Sequence, residues 1–233
     1  MRSDVGRVRS RNEDRVHCDT NLRLLAIADG MGGHAAGDVA STLAIETVCA
    51  HLHRPAEPYD GAALRLQAAI SAANRAIHAC AQHTERLGMG TTIVATSFDA
   101  ANIVVAHVGD SRLYRLRNGQ LQSLTRDHSW VQDMIDRGLY SERHARSSPR
   151  RNQLLRALGA TADVEIDVAI HALRTGDRYL LCSDGLTGMV TDDCIAMLLR
   201  ETPQIDACVQ RLIEVANEYG GRDNVTVALA DVR

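Results

Sequence analysis

Acidic residues recur beside glycines in this sequence, at points where predicted strands end or begin. Asp29 directly follows the apolar run Leu24 to Ala28 and precedes Gly30-Met31-Gly32-Gly33-His34. An acid placed so is presented at the rim of a sheet, and the glycines let backbone carbonyls face the same point because Gly accepts conformations that other residues resist. Carboxylates and carbonyls are the ligands that hard cations such as Mg2+ and Mn2+ prefer. The stretch therefore predicts part of a divalent-metal site.

Further acids of this kind are Asp184 before Gly185, Asp110 after Gly109, Asp223 shortly after Gly220-Gly221, and Glu13-Asp14 after the first predicted strand. Each acid alone has an ordinary alternative, because Asp-Gly is common in turns and Asp29 also fits the cap of a helix. As a group they favour a metal site, since carboxylates that meet without cations repel one another.

The composition bounds the class of protein. The chain has 233 residues, of which 45% are hydrophobic and only 3% aromatic, so an aliphatic core is predicted. A formal net charge of −3 argues against a general nucleic-acid binder held by phosphate contacts. The single Trp and single Phe leave little for base stacking. No apolar run approaches the ~20 residues that span a bilayer, so no membrane span is expected.

The cysteines and the N-terminal residues bear on location. The six cysteines are scattered and form no C-x-x-C pair, which disfavours a zinc cluster or a redox motif. Reduced core thiols are expected in such an aliphatic chain, and with them a cytoplasmic location. Charged residues such as Arg2 and Asp4 interrupt the N-terminal segment, so no signal peptide is predicted.

Hydrophobic periodicity predicts the order of the secondary structure. Strands are predicted over Ser3 to Val8, Val16 to Asp19, Leu22 to Ala28, Thr91 to Phe98, Asn102 to Val108, Arg112 to Leu116, Leu121 to Leu124, Gln153 to Leu158, Val164 to Ile170, Arg178 to Cys182 and Val225 to Leu229. Helices are predicted over Asp38 to His53, Asp60 to Arg86, Thr191 to Leu199 and from Pro203 onward. Hairpin-linked strands with paired helices indicate an α+β fold of mainly antiparallel sheets with helices layered outside. With no repeat or linker in the sequence, residues 1–233 are expected to form one domain.

An ordered set of short motifs carries a resemblance to a known family. The chain resembles the metal-dependent type 2C protein serine/threonine phosphatases (PPM) in their short bacterial form. The segments that match, in family order and over almost the whole chain, are Ser3 to Gly6, Arg9 to Asp14, Asp29 to His34, Gly90-Thr91-Thr92, Gly109 to Arg112, Asp127-His128-Ser129, Arg156 to Gly159, Ser183-Asp184-Gly185 and Asp223 to Thr226. The resemblance implies a central sandwich of two antiparallel sheets flanked by pairs of antiparallel helices.

The resemblance also implies two Mn2+ or Mg2+ ions at one end of the sandwich. Asp29 is then expected to bridge both ions, with Asp184 and Asp223 on one ion and the Gly30 carbonyl on the other. Asp14 is expected to contact the ions or their waters, and the residues expected behind the metal ligands are Glu13 and Asn224. Asp110 matches the aspartate that binds a third, weaker ion in bacterial members.

Two further positions concern the phosphate and the leaving group. Arg9 matches the phosphate-binding arginine of the family, and a guanidinium suits that role because it binds two phosphate oxygens in a planar fork. Animal relatives carry a histidine, a proposed general acid, where this chain has Met31, whose thioether donates no proton. His34 is a candidate replacement as a catalytic acid, with a metal-bound water and a merely structural His34 as the alternatives.

A charged stretch, roughly residues 129–156, is expected to form a flap over the site, either as one or two surface helices or as a mobile segment. The family often has His-Pro in this flap, whereas this chain has Ser148-Pro149. The arginines of the stretch are candidates for contact with phosphopeptides or are simply solvated charges; they are Arg143, Arg146, Arg150 and Arg151.

The function implied is hydrolysis of phosphoserine and phosphothreonine in proteins by attack of a metal-bridging water or hydroxide, with no phosphoenzyme. The expected partners are phosphorylated substrates of a serine/threonine kinase, without nucleic acid, and the protein is expected to be a monomer. Two alternatives remain, a catalytically silent module that binds phosphoproteins and a metal phosphoesterase acting on small molecules. A silent relative is expected to have lost metal-binding acids, which this chain retains.

Overall fold

The structure is a computed structural model, and it describes residues 1–32, 36–55, 61–82 and 87–233. The strands are β1 Arg2–Asp4, β2 Asp14–Asp19, β3 Leu24–Met31, β4 Gly90–Thr91, β5 Ile93–Phe98, β6 Asn102–Val108, β7 Arg112–Arg117, β8 Gln120–Ser123, β9 Asp167–Ala172, β10 Arg178–Cys182 and β11 Val225–Asp231. The helices are α1 Gly37–Leu52, α2 Ala62–Ala81, α3 Trp130–Asp136, α4 Glu142–Ser147, α5 Asp184–Thr187, α6 Asp192–Glu201 and α7 Ile205–Glu218. No described helix combines the length and apolarity that crossing a bilayer requires.

The strands form two antiparallel sheets. One has the order β1-β11-β10-β7-β8, and the other has the order β2-β3-β5-β6-β9 with β4 added beside the end of β3. The nearly continuous apolar run of β6 is explained by its place inside its sheet, where six of its seven residues are buried. Because neighbouring strands of each sheet are paired antiparallel, their ends lie next to one another at the rims of the sandwich.

Three apolar layers hold the sandwich together. Side chains from both sheets, such as Ile27 and Leu181, meet in the layer between the sheets. Helices α1 and α2 pack on the outer face of one sheet around residues such as Ile70, and α6 and α7 pack on the other around residues such as Leu212. The predicted α+β sandwich with outer helices is therefore confirmed.

Local signals explain several element boundaries. The hairpin between β7 and β8 turns at Asn118 and Gly119, whose φ angles of 51° and 75° are those that a two-residue hairpin loop favours. Helix α6 begins after Thr191, whose side-chain oxygen accepts a hydrogen bond from the backbone N–H of Cys194. The predicted strands Arg112 to Leu116 and Leu121 to Leu124 and the predicted helix from Thr191 agree with these boundaries.

Two predicted strands are wrong in extent or in kind. Strand β1 ends at Asp4, because the Asp4 carboxylate accepts a hydrogen bond from Gly6 N and Gly6 turns the chain with a φ of 81°. The stretch 153–158 forms no strand. Its apolar residues make isolated bridges to two separate places, Leu154 to Ser129 and Leu158 to Thr91. The flap residues before it contain the short helices α3 and α4.

Candidate metal centre

The hairpin of β2 and β3 brings two acids to one rim of the sandwich. Asp14 and Asp29 are partners in the antiparallel register of these strands. Side chains at paired positions point to the same face of a sheet, so the two carboxylates face a common space. Directly opposed like charges destabilise a sheet unless a counter-charge lies between or beside them.

Hydrogen bonds fix the backbone of Asp29 from the neighbouring segment. Its N–H donates to Thr92 Oγ1 at 3.1 Å, and its carbonyl accepts from Thr92 N at 2.9 Å and from Thr91 Oγ1 at 2.8 Å. The two threonines of the Gly-Thr-Thr segment thus use both backbone polar groups of Asp29. The carboxylate is left to face the cleft.

Gly30 is required for space. A Cβ added there would lie 2.0 Å from the carbonyl oxygen of Gly37 and 2.8 Å from that of Glu13. Gly30 does not have a positive φ, so the expectation that it serves conformational freedom is wrong at this position. The close approach of three backbone segments allows no side chain between Asp29 and Met31.

Asp184 and Asp223 reach the same rim from the other sheet. Asp184 is the first residue of α5, just after β10, and Asp223 lies just before β11, the antiparallel neighbour of β10. A Cβ on Gly185 would lie 1.9 Å from the carbonyl oxygen of Asn224. The two segments touch at this glycine, which places their aspartates side by side.

Asp110 lies in the loop between β6 and β7. This loop packs against Thr92, the residue that hydrogen-bonds the backbone of Asp29. Gly109 has a φ of 109°, and a Cβ on it would lie 2.6 Å from the Thr92 Cβ, so only glycine fits there. The Ser111 hydroxyl lies 2.8 Å from the Thr92 hydroxyl. Thr92 therefore contacts the segments that carry Asp29 and Asp110.

Asn224 ties the N-terminal loop to the rim. Its side-chain oxygen accepts a hydrogen bond from Glu13 N at 2.8 Å, and its amide nitrogen donates to the carbonyls of Val5 and Arg11 at 2.9 and 2.8 Å. Arg9, carried by this loop, donates to the Asp223 carboxylate at 2.8 Å. A buried amide with partners on both ends thus holds the loop that presents Arg9 and Glu13.

Electrostatics show that these acids are short of positive charge. Burial, reinforced by neighbouring aspartates, raises the pKa of Asp14 and that of Asp184 to about 6. The same causes raise the pKa of Asp29 and of Asp110 well above the ordinary value, and burial raises the pKa of Glu13. Such shifts arise when carboxylates are removed from water and face one another. A divalent cation supplies the missing counter-charge.

The cleft fits hard cations by three observations. It has a volume of about 260 Å³, and its lining includes Arg9, Glu13, Asp29, Gly30, Met31, Asp110, Asp184 and Asp223. Among the described residues, Asp14 Oδ1 is buried with no hydrogen-bond partner, while Oδ2 accepts from the Ser183 hydroxyl at 2.8 Å. Carboxylate and carbonyl oxygens are the donor set of Mg2+ and Mn2+ rather than of softer metals.

The structure thus brings together most of the residues that the sequence analysis selected, with Asp14 and Asn224 directly behind the cleft. His34 lies outside the described residues. Thr92, Asn152 and Leu154 also line the cleft, and they were not predicted as site residues. The Gly90-Thr91-Thr92 motif was a signal for Thr92. Leu154 lies in the stretch 153–158 that was wrongly predicted to be a strand, and Asn152 directly precedes that stretch.

Comparison with known proteins agrees with this geometry. The family model "Protein phosphatase 2C" matches residues 7–230. The serine/threonine protein phosphatase PstP of Mycobacterium tuberculosis is 46% identical over 232 residues, which are 99% of this chain and 44% of that protein. The serine/threonine phosphatase stp of Listeria monocytogenes is 39% identical over 243 residues, which cover 99% of this chain and 94% of that protein.

The fold comparison gives the same result. The crystal structure of the catalytic domain of PstP in complex with two manganese ions superposes with a TM-score of 0.89 at 43% identity, covering 100% of this chain and 96% of that chain. The chain spans less than half the length of the M. tuberculosis relative and nearly the full length of the Listeria relative. By sequence and by fold, the chain belongs to the protein phosphatase 2C family.

Proposed function

We propose that this chain is a Mg2+- or Mn2+-dependent protein serine/threonine phosphatase. The observation that carries the proposal is the convergence of carboxylates from far-apart segments on one cleft, which Asp29, Asp110, Asp184 and Asp223 line, with Asp14 close behind Asp29. The named activity of the relatives from M. tuberculosis and L. monocytogenes supports it. A purely structural role does not account for so many unneutralised acids at one rim.

The roles that the family resemblance implies for single residues are compatible with this cleft, and we propose them here. Asp29 lines the cleft together with Gly30, Asp184 and Asp223 and is suited to contact two ions, with Asp184 and Asp223 as ligands of one ion and the Gly30 carbonyl as a ligand of the other. Asp110 is suited to a third ion. When bound, a pair of divalent cations lowers the pKa of a water and offsets negative charge at phosphorus. The PstP structure with two manganese ions supports this assignment.

The remaining residues orient the phosphate and hold the ligands. Arg9 is half exposed and already bonded to Asp223, so its guanidinium stands where a phosphate dianion would approach the metal ligands. Asp14 presents its unpartnered oxygen from behind Asp29, and Asn224 keeps Glu13 and Arg9 in register with the cleft. Because Met31 cannot donate a proton, His34 remains our candidate for protonating the leaving oxygen.

The flap supports a protein substrate. Residues Asn152 and Leu154 of the flap line the cleft, and the flap also carries four exposed arginines: Arg143, Arg146, Arg150 and Arg151. A phosphorylated segment laid across this surface meets cationic side chains outside the metal cleft. We propose proteins phosphorylated by a serine/threonine kinase as the substrates.

Turnover of phosphothreonine peptides tests the proposal, with p-nitrophenyl phosphate as the small-molecule comparison. We expect peptide hydrolysis that requires Mn2+ or Mg2+, is abolished by a chelator and is absent in Asp184→Asn. Absence of hydrolysis with either metal contradicts the proposed activity. Efficient hydrolysis of the small ester, with none of the peptide, assigns the chain to small-molecule phosphoesters instead.

A further inference from the structure

His128 belongs to the Asp-His-Ser motif, to which the proposed function gives no role. His128 forms hydrogen bonds with both the N–H and the carbonyl of Gly109. Gly109 N donates to His128 Nδ1 at 3.1 Å, and His128 N donates to the Gly109 carbonyl at 2.9 Å. A single residue, 19 positions along the chain, therefore satisfies both backbone polar groups of Gly109.

The Gly109 peptide sets the direction of Asp110. Asp110 is buried and lies among other aspartates of the cleft, which repel it. Gly109 itself adopts the left-handed region, where the chain has few steric restraints because glycine lacks a Cβ. Hydrogen bonds to this peptide, together with the Ser111–Thr92 hydrogen bond, therefore oppose rotation of the loop away from the cleft.

The surroundings of His128 fix its ring and its tautomer. The ring is stacked on His107, with centroids 4.7 Å apart and an angle of 18° between planes. Because the Gly109 N–H can only donate, Nδ1 accepts, and the proton lies on Nε2, which is 3.4 Å from Asp167 Oδ2. Burial lowers the pKa of His128, and His107 and Arg156 lower it further. The ring is therefore held in the neutral form that can accept this bond.

A metal site at this cluster is the competing interpretation. His107, His128 and Asp167 offer ligand atoms that all lie within 4.8 Å of one another. However, His107 Nε2 bonds the Arg126 carbonyl at 2.9 Å, and the Arg156 guanidinium lies 3.3 Å from His128 Nε2 and 2.7 Å from Asp167 Oδ1. A guanidinium already neutralises the carboxylate, so the cluster is a hydrogen-bonded support rather than a cation site.

We propose that His128 is a positioning residue that holds the Gly109 peptide and thereby directs the Asp110 carboxylate into the metal cleft. The inference rests on the proposed function in so far as that function assigns Asp110 to a metal ion. His128 touches neither the substrate nor the ions. It acts through the backbone, as the outer partners of metal ligands commonly do.

Binding of Mn2+ to the metal-stripped full chain tests the inference, with calorimetry giving affinities and electron paramagnetic resonance counting bound ions. His128→Asn keeps an acceptor near the Nδ1 position, whereas His128→Leu removes it and His128→Gln moves it to the Nε2 position. We expect the Leu and Gln variants to weaken the weakest class of bound Mn2+ by at least about 10-fold. The Asn variant is expected to stay within about 3-fold of the unmodified protein.

The control is His107→Leu, which removes an equally buried ring from the same stack without touching Gly109. Its weakest Mn2+ affinity is expected to change less than about 3-fold. Equal losses of Mn2+ affinity in His107→Leu and His128→Leu indicate a general packing role for both rings and overturn the proposal. If circular dichroism shows that His128→Leu does not fold, His128→Asn and His128→Gln are compared instead. Equal Mn2+ affinities in these two variants overturn the proposal.

Asp110→Asn separates this inference from the proposed function. If Asp110→Asn weakens the same class of Mn2+ while His128→Leu and His128→Gln do not, the role of His128 is refuted and the phosphatase assignment stands. If Asp110→Asn leaves Mn2+ binding unchanged, Asp110 is no ligand and the inference fails with it, although peptide turnover can still support a phosphatase with two ions.

Discussion

The two ends of the sandwich treat buried acids in opposite ways. At the cleft end, Asp14, Asp29 and Asp110 face one another, and burial with mutual repulsion raises their pKa values. At the opposite end of the same strands, Asp177 is 1% exposed and accepts from Arg117 Nε at 2.6 Å and from the Tyr179 hydroxyl at 3.1 Å. Both ends are built from the same sheets. They differ in whether an arginine of the chain neutralises the buried acids.

Asp231 repeats the pattern at that opposite end. Its two carboxylate oxygens accept from Arg178 Nε and Nη2 at 2.7 and 2.8 Å. The same guanidinium donates to the carbonyls of Leu199 and Thr202 at the end of α6. An arginine with this many partners serves as a fixed structural counter-ion.

The comparison shows which end of the sandwich contributes stability and which end can bind metal ions. Buried acids with a guanidinium partner have both their charge and their hydrogen bonds satisfied, so removal of one partner destabilises the folded chain. Buried acids without one destabilise it until a cation binds, and that deficit is what makes the cleft a metal site. Stability and binding capacity thus lie at opposite ends of shared strands.

The largest expected effect comes from Asp29→Asn. Loss of the Asp29 carboxylate is expected to reduce hydrolysis of p-nitrophenyl phosphate at least about 10³-fold, because we propose this carboxylate as the shared ligand of the metal pair. The metal-free variant is also expected to be more stable than the unmodified protein, by about 1 kcal/mol, since one repelling charge is gone. Steady-state kinetics and denaturant unfolding in chelator measure the two effects. Near-normal turnover contradicts the metal assignment, and lower metal-free stability contradicts the comparison of the two ends.

The matched substitution at the other end is Asp177→Asn. It leaves the Arg117 guanidinium without its carboxylate, and we expect a loss of about 2 kcal/mol in the free energy of unfolding. Turnover is expected to stay near normal under conditions where the protein is folded, because this end is remote from the cleft. Asp163→Asn, at an exposed position, is the control and is expected to change stability by less than about 0.5 kcal/mol. Equal stability of the Asp177 and Asp163 variants argues against a structural ion pair.

The cleft end of the sandwich was predictable from local sequence. An apolar run that ends in an acid and a glycine marks a strand end at a rim, as in Leu24 to Asp29, and this needs no knowledge of distant residues. The sheets, their helices and the acids of the cleft were found on that basis. The turn at Asn118-Gly119 belongs to the same class, because the required φ angles select those residues.

Other features depend on partners far away in sequence and were missed. The segment 153–158 has apolar residues typical of a strand, but Leu154 and Leu158 pair with separate places, Ser129 and Thr91. No ladder forms, and Asn152 with Leu154 enters the cleft instead. Likewise, the pairing of Asp177 with Arg117 carries no local signal, since surface arginines and aspartates look the same in sequence as buried pairs.

Arg9 offers an intermediate test, since it is the arginine that faces the cleft acids. It is 50% exposed and bonds only one oxygen of Asp223, unlike the enclosed arginine at Asp231. We expect Arg9→Ala to raise KM for phosphopeptides about 10-fold with a smaller change in kcat, because the phosphate loses a two-pronged partner. Arg9→Lys keeps the charge without the planar fork and is expected to recover only part of the loss. An unchanged KM in Arg9→Ala removes Arg9 from substrate binding.

The smallest expected effect is a pH dependence at the end where acids are paired. Burial favours the neutral form of Asp177, but the bonds from Arg117, Arg174 N and Tyr179 outweigh it and hold the pKa of this carboxyl below its ordinary value. A carboxyl with a lowered folded-state pKa stabilises the fold fully above its ordinary pKa of about 3.9, and the contribution is lost as the pH falls through the folded-state pKa. The difference in unfolding free energy between the unmodified protein and Asp177→Asn is therefore expected to be constant from pH 7 to about 5 and to shrink below about pH 4. Denaturant titrations of both proteins across this range measure it, and taking the difference cancels the acid sensitivity of every other group they share. A difference that grows on acidification would mean that the Asp177 carboxylate is a burden to the fold, and the two ends of the sandwich would then no longer differ in kind.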